Sequence, residues 1–369
     1  MNTPDAFSDR GTVAALVQRL GTWAARLERT ATFMEVCGTH THAIAAAGLR
    51  RLLPPNIRLI SGPGCPVCVT PVDYLDRAEA LAALPDVIVA TFGDLMRVPS
   101  SGGSLEQARA RGCDIRVVYS PRDALGIARQ QRSKGVIFLA VGFETTVPTV
   151  AAALAEAEAE GMRNFHILPG SKLIEPPLRA LVADGEVQVD GFLLPGHVSV
   201  VIGADAYAFL CAEYAVPAAV VGFTPADILL GIEELVRQRV ERAPRVANLY
   251  ARVVRAHGNR HAQALIARFF EPVDTRWRGL GDIPGSGLGL RAAWAHRDAS
   301  TMAVAVPQPC EARGCRCGEV LKGVVEPPQC PLFDHGCTPD TPIGACMVSS
   351  EGTCAAWYRH ERFRPGAAA

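Results

Sequence analysis

Apolar and polar positions follow two different periods along the first two thirds of the chain. Near the N-terminus, apolar residues recur at helical spacing from Val13 to Trp23, which predicts an amphipathic helix over residues 11–30. Beyond it, short apolar runs alternate with helical stretches. These runs predict strands at residues 32–36, 57–61, 86–91, 115–119, 136–141, 165–168, 192–194 and 218–221. Strands that alternate with helices through short connections indicate an α/β fold with doubly wound parallel sheets.

The alternation is too long for one sheet, so the pattern predicts two doubly wound parallel-sheet domains plus a cysteine-rich, partly helical domain. The run 136–141 is nearly all apolar, as in a parallel strand that is covered on both faces. We expect domains at 1–130, 131–243 and 244–369. In the last of these, the pattern predicts helix to about His261, then loops that include Trp277–Gly281, and then the cysteine-rich segment.

Three of the predicted helices begin with the same succession of residue types. Ser or Thr is followed by Pro, by any residue and by Asp at positions 70–73, 120–123 and 224–227. A hydroxyl side chain can cap the first turn, Pro fits the first helical position, and an acid three residues after the cap can bond back to it. We therefore expect Thr70, Ser120 and Thr224 to be helix caps.

Composition excludes several classes of protein. The 369 residues carry 37 basic and 37 acidic side chains, so the formal net charge is zero and lacks the basic footprint of a nucleic-acid binder. The longest apolar runs are too short to cross a bilayer, and the N-terminal MNTPDAFSDRG has no apolar signal region. We expect a cytoplasmic protein whose cysteines are reduced, metal-bound or redox-active.

Seven of the twelve cysteines lie between Cys310 and Cys354, a segment that we call the cysteine tail. Its many prolines and glycines disfavour long helices and central strands, so thiolates on a metal or cluster are expected to hold it together. Four of its cysteines have the spacings x14, x6 and x16, without the close pairs of structural zinc sites. They suit a [4Fe–4S] cluster better than zinc or a disulfide framework, which stay open. The four are Cys315, Cys330, Cys337 and Cys354, with Cys317 as a rival to Cys315.

Cys37 lies at a predicted strand-to-helix junction, in the stretch CGTHTH. A helix N-terminus stabilises a thiolate, so we expect a depressed pKa for this thiol. His40 and His42 follow within five residues. Cysteine with histidine is a ligand pair for iron, copper or zinc, and also a nucleophile–base pair. A half-buried cysteine with two surface histidines is the plain alternative.

Cys65 and Cys68 form a Cys-x-x-Cys motif beside a predicted helix start. In an α/β pattern this spacing indicates a redox dithiol, and half of a zinc site is the alternative. Asp94, Glu144 and His197 also follow predicted strands. Because ligands of such folds bind beyond the carboxyl ends of the strands, these residues and Cys37 are expected to face one cleft, although each alone also fits a turn.

Several longer blocks together resemble one family. They are CGTHTH, GPGCPVC, TFGDLMRVP, VGFETT, PGHVS, RWRGLG and the tail blocks CRCGEVLKG, CPLF and GACMVSSEGTCAAWY. In this order, and over nearly the whole chain, they closely resemble the HypD family of hydrogenase maturation factors. The resemblance implies two α/β domains and a third that holds a [4Fe–4S] cluster, with the N-terminal helix packed on the third.

The resemblance also implies a function. By its resemblance to this family, the chain would be a scaffold on which the Fe(CN)2CO unit of [NiFe]-hydrogenase is assembled with a HypC-type chaperone. HypE would deliver cyanide made with the help of HypF. Carried over by position, Cys37 would bind the iron with a cysteine of the chaperone, and His40 would lie nearby. Cys65 and Cys68 would be the redox dithiol. The cluster ligands would be Cys315, Cys330, Cys337 and Cys354.

On this reading the chain is a redox-active assembly scaffold rather than a conventional turnover enzyme, and it serves the hydrogenase large subunit indirectly. Asp94 and His197 are expected to bind the assembled unit together with Cys37, and Glu144 is expected to move protons. The alternatives are a cluster-fed dithiol–disulfide reductase that acts without a partner, and a zinc-stapled binding protein.

Overall fold

Two parallel sheets organise the chain in a computed structural model, which describes residues 9–185 and 188–362. The first sheet has the strand order β2-β1-β7-β8-β9 and the second has the order β4-β3-β5-β6. Residues 1–8, in which the sequence predicts no apolar signal region, lie outside the described part. The strands are β1 (Ala31–Glu35), β2 (Ile57–Ser61), β3 (Val87–Thr91), β4 (Ile115–Val117), β5 (Gly135–Gly142), β6 (Phe165–Ser171), β7 (Gly191–Pro195), β8 (Ala218–Val221) and β9 (Val246–Asn248).

Helices follow most of the strands, as the alternating pattern predicts. They are α1 (Arg10–Ala24), α2 (Gly38–Ala46), α3 (Pro66–Val69), α4 (Val72–Ala82), α5 (Leu105–Ala110), α6 (Pro121–Gln130), α7 (Val147–Ala159), α8 (Glu175–Asp184), α9 (Gly196–Ile202), α10 (Ala208–Ala212), α11 (Pro225–Glu241), α12 (Arg260–Phe269), α13 (Cys317–Leu321) and α14 (Thr353–His360). All strand pairs within the two sheets are parallel. The predicted α/β class with doubly wound parallel sheets is therefore confirmed.

The boundary predicted at residue 130 does not separate the two sheets. Strand β1 pairs with both β2 and β7, while β3 pairs with both β4 and β5. Each sheet thus contains strands from both sides of residue 130. The second sheet is an insertion between β2 and β7 of the first, so the chain leaves the first sheet and later returns to it.

The stretch between β9 and the cysteine tail also differs from the prediction. Strand β9 joins the edge of the first sheet, although it falls inside the predicted third domain. The motif expected to be a loop lies in an antiparallel hairpin of β10 (Phe270–Trp277) and β11 (Gly281–Leu290). This hairpin packs on β6 and α8 of the second sheet. Residues 244–309 therefore contribute to the two sheet layers.

The N-terminal helix does not pack in the expected place. It was expected to lie on the third domain, but α1 packs along α11, which covers one face of the first sheet. Leu16 and Leu20 are buried in that contact. The Arg19 guanidinium also donates a 3.0 Å hydrogen bond to the Glu233 carboxylate on α11. The predicted amphipathic face is correct, but its partner is a neighbouring helix of the first sheet.

A buried guanidinium joins the end of the described chain to the first sheet. Arg50 donates a 3.0 Å hydrogen bond to the Glu35 carboxylate on β1 and a 2.7 Å hydrogen bond to the Glu361 carboxylate after α14. All three side chains are almost fully buried. The cysteine tail is therefore fixed against the first sheet at its far end. In the described residues, no helix is long and apolar enough to cross a membrane.

Candidate functional site

The backbone of the Cys-x-x-Cys loop lies directly against Cys37. A Cβ atom added to Gly64 would stand 2.2 Å from the backbone nitrogen of Cys37, which only glycine avoids. The Gly38 amide also donates a 3.0 Å hydrogen bond to the Gly64 carbonyl. Because β1 and β2 are neighbouring parallel strands, their exit loops meet at one edge of the sheet. The structure therefore brings Cys37 and the Cys65–Cys68 motif together.

Cys65 and Cys68 are joined by a disulfide at the start of α3. Cys65 is the N-cap of this short helix, and its sulfur accepts a hydrogen bond of 3.2 Å from the Cys68 amide. The two side chains are 3% and 0% exposed, so solvent hardly reaches the bond. Helix α3 packs against residues Ala345–Met347 of the cysteine tail. The disulfide thus lies between Cys37 and the tail.

The Cys37 thiol has a raised pKa, contrary to the depressed pKa expected from its helix. Cys37 is the N-cap of α2, as the sequence predicts. Its side chain is buried, and this burial raises the pKa to about 11 despite hydrogen bonds from the backbone of His40 and Thr39. Loss of water on burial destabilises the thiolate more than the helix N-terminus stabilises it.

The rings of His40 and His197 both stack on the ring of Phe223. The His40 ring stacks on Phe223 with a centroid distance of 4.8 Å, and the His197 ring stacks on Phe223 at 4.0 Å. His40 is fully buried, which lowers its pKa to about 4. Its Nε2 lies 2.9 Å from the Gly222 carbonyl, which can only accept, so Nε2 carries the proton. The Nδ1 lone pair of His40 has no hydrogen-bond partner.

Asp94 lines a cleft of about 310 Å³ beyond the carboxyl end of β3. The same cleft is lined by Val67 of α3 and by Ser349 and Glu351 of the cysteine tail. The Ser349 hydroxyl donates a 2.7 Å hydrogen bond to the Asp94 carboxylate. The Thr39 hydroxyl donates a 2.6 Å hydrogen bond to the Glu351 carboxylate. The tail therefore forms one wall of the cleft and contacts the helix that begins at Cys37.

Glu144 is separate from this cleft wall. It is 5% exposed, and burial raises its pKa to about 7, against an opposing hydrogen bond from the Ile174 amide. One carboxylate oxygen accepts that bond at 2.9 Å, and the other has no partner. The buried Tyr207 hydroxyl is hydrogen-bonded to the Ser199 hydroxyl at 3.1 Å. The residues that were expected to face one cleft therefore lie near one edge of the fold, but they line separate sites.

Five cysteines of the tail line a second, small cavity. Arg316 and apolar side chains of the same segment complete its wall. These cysteines are Cys315, Cys317, Cys330, Cys337 and Cys354. All four cysteines that the spacing selected thus meet at one place, together with the predicted rival Cys317. Helical or strand periodicity in the sequence contributes little to predicting that these cysteines meet, because the backbone there consists of turns and short helices.

Cys346 is a further member of the group that the spacing argument left out. The Cys317 sulfur contacts the sulfurs of Cys315, Cys346 and Cys354, and Cys346 is fully buried. The sequence signal that could have identified Cys346 is weak. It consists only of the compact GAC stretch and the excess of cysteines in this segment. Gly344 makes room for the group, because an added Cβ would stand 2.4 Å from the Cys317 sulfur.

The thiols of this cavity suit a cluster better than a single ion. A structural zinc ion needs four ligand atoms that converge on one point. In the described part of the chain, no three Cys, His, Asp or Glu side chains are arranged to hold one metal ion. A [4Fe–4S] cube distributes its four thiolates over different iron atoms, so the sulfurs surround a space instead. Cys315, Cys330, Cys337 and Cys354, which line one cavity, fit that requirement.

Comparison with known proteins agrees with the motifs. A family model described as "HypD: Hydrogenase formation hypA family" matches residues 11–361. The chain is 46% identical over 368 residues to "Hydrogenase maturation factor HypD" of Escherichia coli (strain K12), covering 98% of this chain and 99% of the relative. It is 46% identical over 369 residues to the protein of the same name from Rhizobium leguminosarum bv. viciae, covering 98% and 96%. The protein of that name from Azotobacter vinelandii is 44% identical over 372 residues, covering 99% and 98%.

Proposed function

The chain belongs to the HypD family, and from this premise we propose that it is a hydrogenase maturation factor. In this proposal it is a scaffold on which the Fe(CN)2CO unit of [NiFe]-hydrogenase is assembled together with a HypC-type chaperone. The observation that carries the proposal is the close packing of Gly64 on Cys37, which puts a thiol and a disulfide side by side at one edge of the fold. A HypE-type partner would deliver cyanide that is made with HypF, and the hydrogenase large subunit would receive the unit.

Cys37 is the proposed protein ligand of the iron cargo, with a second thiolate from the chaperone. Burial disfavours the free thiolate of Cys37, so the thiol holds its proton until a cation arrives. Iron binding would then release that proton. His40 is neutral because of its burial, and its Nε2 proton is engaged by the Gly222 carbonyl. Its free Nδ1 lone pair supports a place beside the iron as an auxiliary or orienting group.

Cys65 and Cys68 are the proposed redox pair. The disulfide and dithiol states differ by two electrons and two protons, and the dithiol would present fresh thiols next to Cys37. A [4Fe–4S] cluster, when bound by Cys315, Cys330, Cys337 and Cys354, supplies one-electron transfer. The contact between α3 and Ala345–Met347 supports a short route between the tail and the disulfide.

The remaining polar residues are proposed to handle protons and diatomic ligands. A pKa of about 7 lets Glu144 both accept and donate a proton near neutral pH. Asp94 is oriented by the Ser349 hydroxyl and faces the cleft. His197 stacks on the Phe223 ring and is exposed, so an incoming partner can reach it.

Burial of the disulfide argues against the alternative of a free-standing reductase. Such an enzyme must expose its dithiol to a substrate disulfide, because exchange proceeds by direct attack of sulfur on sulfur. Cys65 and Cys68 are 3% and 0% exposed. An internal acceptor next to Cys37 fits this geometry better than an external one. The zinc-stapled alternative lacks a convergent ligand set in the described residues.

Genetic complementation tests the proposal. The chain is expressed with its HypC-type partner in a strain of Escherichia coli that lacks its own HypD, and hydrogenase activity is measured. We expect activity with the unchanged chain and none with Cys65→Ser, which breaks the redox pair. Cys211→Ser is the matched control, because Cys211 is a half-buried free cysteine on α10. Absence of activity with the unchanged chain and its partner, or full activity with Cys65→Ser, would contradict the proposal.

A further inference from the structure

Arg278 is a buried cation beside the cysteine tail. It lies in the turn between β10 and β11, in the motif RWRGLG, for which the proposed assembly of the iron unit gives no role. Its side chain is 4% exposed, and one terminal guanidinium nitrogen donates a 3.0 Å hydrogen bond to the Pro99 carbonyl. Its Nε is buried without a hydrogen-bond partner. A buried, incompletely satisfied guanidinium is costly unless other charges offset it.

The charge that compensates Arg278 within the chain is weak. A carboxylate oxygen of Glu311 stands 3.7 Å from Nε, and the Glu311 side chain is 62% exposed. Solvent therefore screens Glu311 much more than it screens Arg278. Glu311 belongs to the cysteine tail, four residues before Cys315, so the guanidinium lies beside the segment that carries the cavity thiols. Thiolates in the cavity would supply the negative charge that the screened Glu311 carboxylate provides to Arg278 only in part.

Main-chain contacts hold Arg278 in this place. The next residue, Gly279, has φ +77°, and a Cβ added there would stand 2.2 Å from the Gly318 Cα, immediately after Cys317. The Arg278 amide donates a 2.9 Å hydrogen bond to the Val69 carbonyl, one residue beyond Cys68. The turn is thus pressed between the disulfide helix α3 and the loop that carries Cys315 and Cys317. Both contacts are made by backbone, so a changed side chain leaves them in place.

We propose that Arg278 is a positioning residue that sets the reduction potential of the cluster in the cysteine tail. The inference rests on the proposed function, since it presupposes a cluster bound by the tail thiolates. Reduction adds one negative charge to a cluster, and a nearby buried cation stabilises that charge. Net charge, hydrogen bonds to sulfur and exposure are the features that tune such potentials. Arg278 therefore raises the potential of the cluster relative to the Cys65–Cys68 pair.

Redox titration of the anaerobically purified full-length protein, followed by its absorption and electron paramagnetic resonance spectra, tests the inference. Arg278→Gln should lower the midpoint potential enough to change the ratio of reduced to oxidised cluster about tenfold, which is about 59 mV for one electron. Arg278→Lys keeps the charge and should stay close to the unchanged protein. Arg313→Gln is the matched control, because Arg313 is an exposed cation two residues before Cys315.

A second variant tests the sign of the effect. Glu311→Gln removes the opposing charge at an exposed position. It should raise the potential, by less than Arg278→Gln lowers it because solvent screens Glu311, and it gives the sign of the effect if Arg278→Gln fails to retain a cluster. An unchanged potential in Arg278→Gln, an equal drop in Arg278→Lys, or a potential in Glu311→Gln that does not rise would overturn the inference while leaving the scaffold proposal intact. Lack of any cluster in the unchanged protein would overturn both.

Discussion

The Thr39 hydroxyl donates a 2.6 Å hydrogen bond to the Glu351 carboxylate, although 312 residues separate the two in the chain. Thr39 is in the first turn of the helix that begins at Cys37, and Glu351 belongs to the cysteine tail. An added Cβ on the neighbouring Gly38 would stand 2.6 Å from the Glu351 Cβ, so the two segments are in full contact. This contact ties the proposed iron site to the tail.

A double-mutant cycle measures the strength of that tie. Thr39→Val and Glu351→Gln each weaken the hydrogen bond to a charged acceptor, which contributes roughly 1.5–3 kcal/mol when partly buried. We expect a coupling free energy of about 1 kcal/mol or more from urea unfolding of the two single variants and the double variant. Thr39→Ser keeps the hydroxyl and should lose less stability than Thr39→Val. Strictly additive effects would contradict a direct link between helix α2 and the tail.

Gly64→Ala tests the packing of the Cys-x-x-Cys loop on Cys37. The new Cβ would meet the Cys37 backbone at 2.2 Å, so one of the two loops must move. We expect a loss of about 1–3 kcal/mol in the free energy of unfolding and loss of hydrogenase maturation. Gly126→Ala is the matched control, because a Cβ there has nothing within 4 Å and helix α6 gains from alanine. Equal stability and function of the two variants would contradict the packing.

Cys330→Ala or Cys337→Ala tests the hypothesis that the cysteine tail binds an iron–sulfur cluster. Each removes one of four expected thiolates, so the brown chromophore should be lost and the tail should unfold more easily, because metal binding is coupled to folding there. Iron and sulfide analysis after anaerobic purification gives the result. Cys113→Ala, outside the tail, should keep the full content. A complete cluster in either tail variant would contradict the assigned ligand set.

Glu144→Gln tests the buried carboxyl through its pH dependence. Burial raises the pKa of Glu144 from 4.5 to about 7. Between these values the folded state holds a proton that the unfolded state has released, so the free energy of unfolding falls as pH rises through this window. Gln does not titrate, and the variant should avoid this loss, which is about 3 kcal/mol at most. Urea unfolding from about pH 5 to about pH 8 measures it. Parallel pH profiles of the two proteins would contradict a raised pKa.

Local pattern was enough to predict most of the strands and several helix starts. The apolar run 136–141 lies within β5, and the capping boxes at Ser120 and Thr224 are confirmed. The cap predicted at Thr70 is wrong, because that hydroxyl donates instead to the Pro66 carbonyl of α3 and the next helix begins after Pro71. The Thr70 hydroxyl bonds to the preceding helix α3 instead of to the first turn of α4. The local pattern of residue types does not indicate which of the two helices it will bond to.

Non-local features were beyond the sequence pattern. Parallel strands carry no mark of their partners, so the return of β7 to β1 could not be read from apolar runs. The raised pKa of Cys37 has the same origin, because the helix terminus is visible in the sequence and the burial that outweighs it is not. Cysteine spacing selected four of the thiols that line the tail cavity, but Cys346 joins them only through the turn at Gly344.

Infrared spectroscopy of Cys37→Ala, co-purified with its HypC-type partner, tests the central claim most directly. The contacts that join this region to the tail are made by Gly38 and Thr39, so removal of the Cys37 sulfur should leave the fold and the iron–sulfur content unchanged. The unchanged protein should show bands of iron-bound cyanide and carbonyl. Cys37→Ala should lose them together with the extra iron, and His40→Ala should weaken them, as expected of an auxiliary group. Persistence of these bands at full intensity in Cys37→Ala would contradict the assignment of Cys37 as the iron ligand.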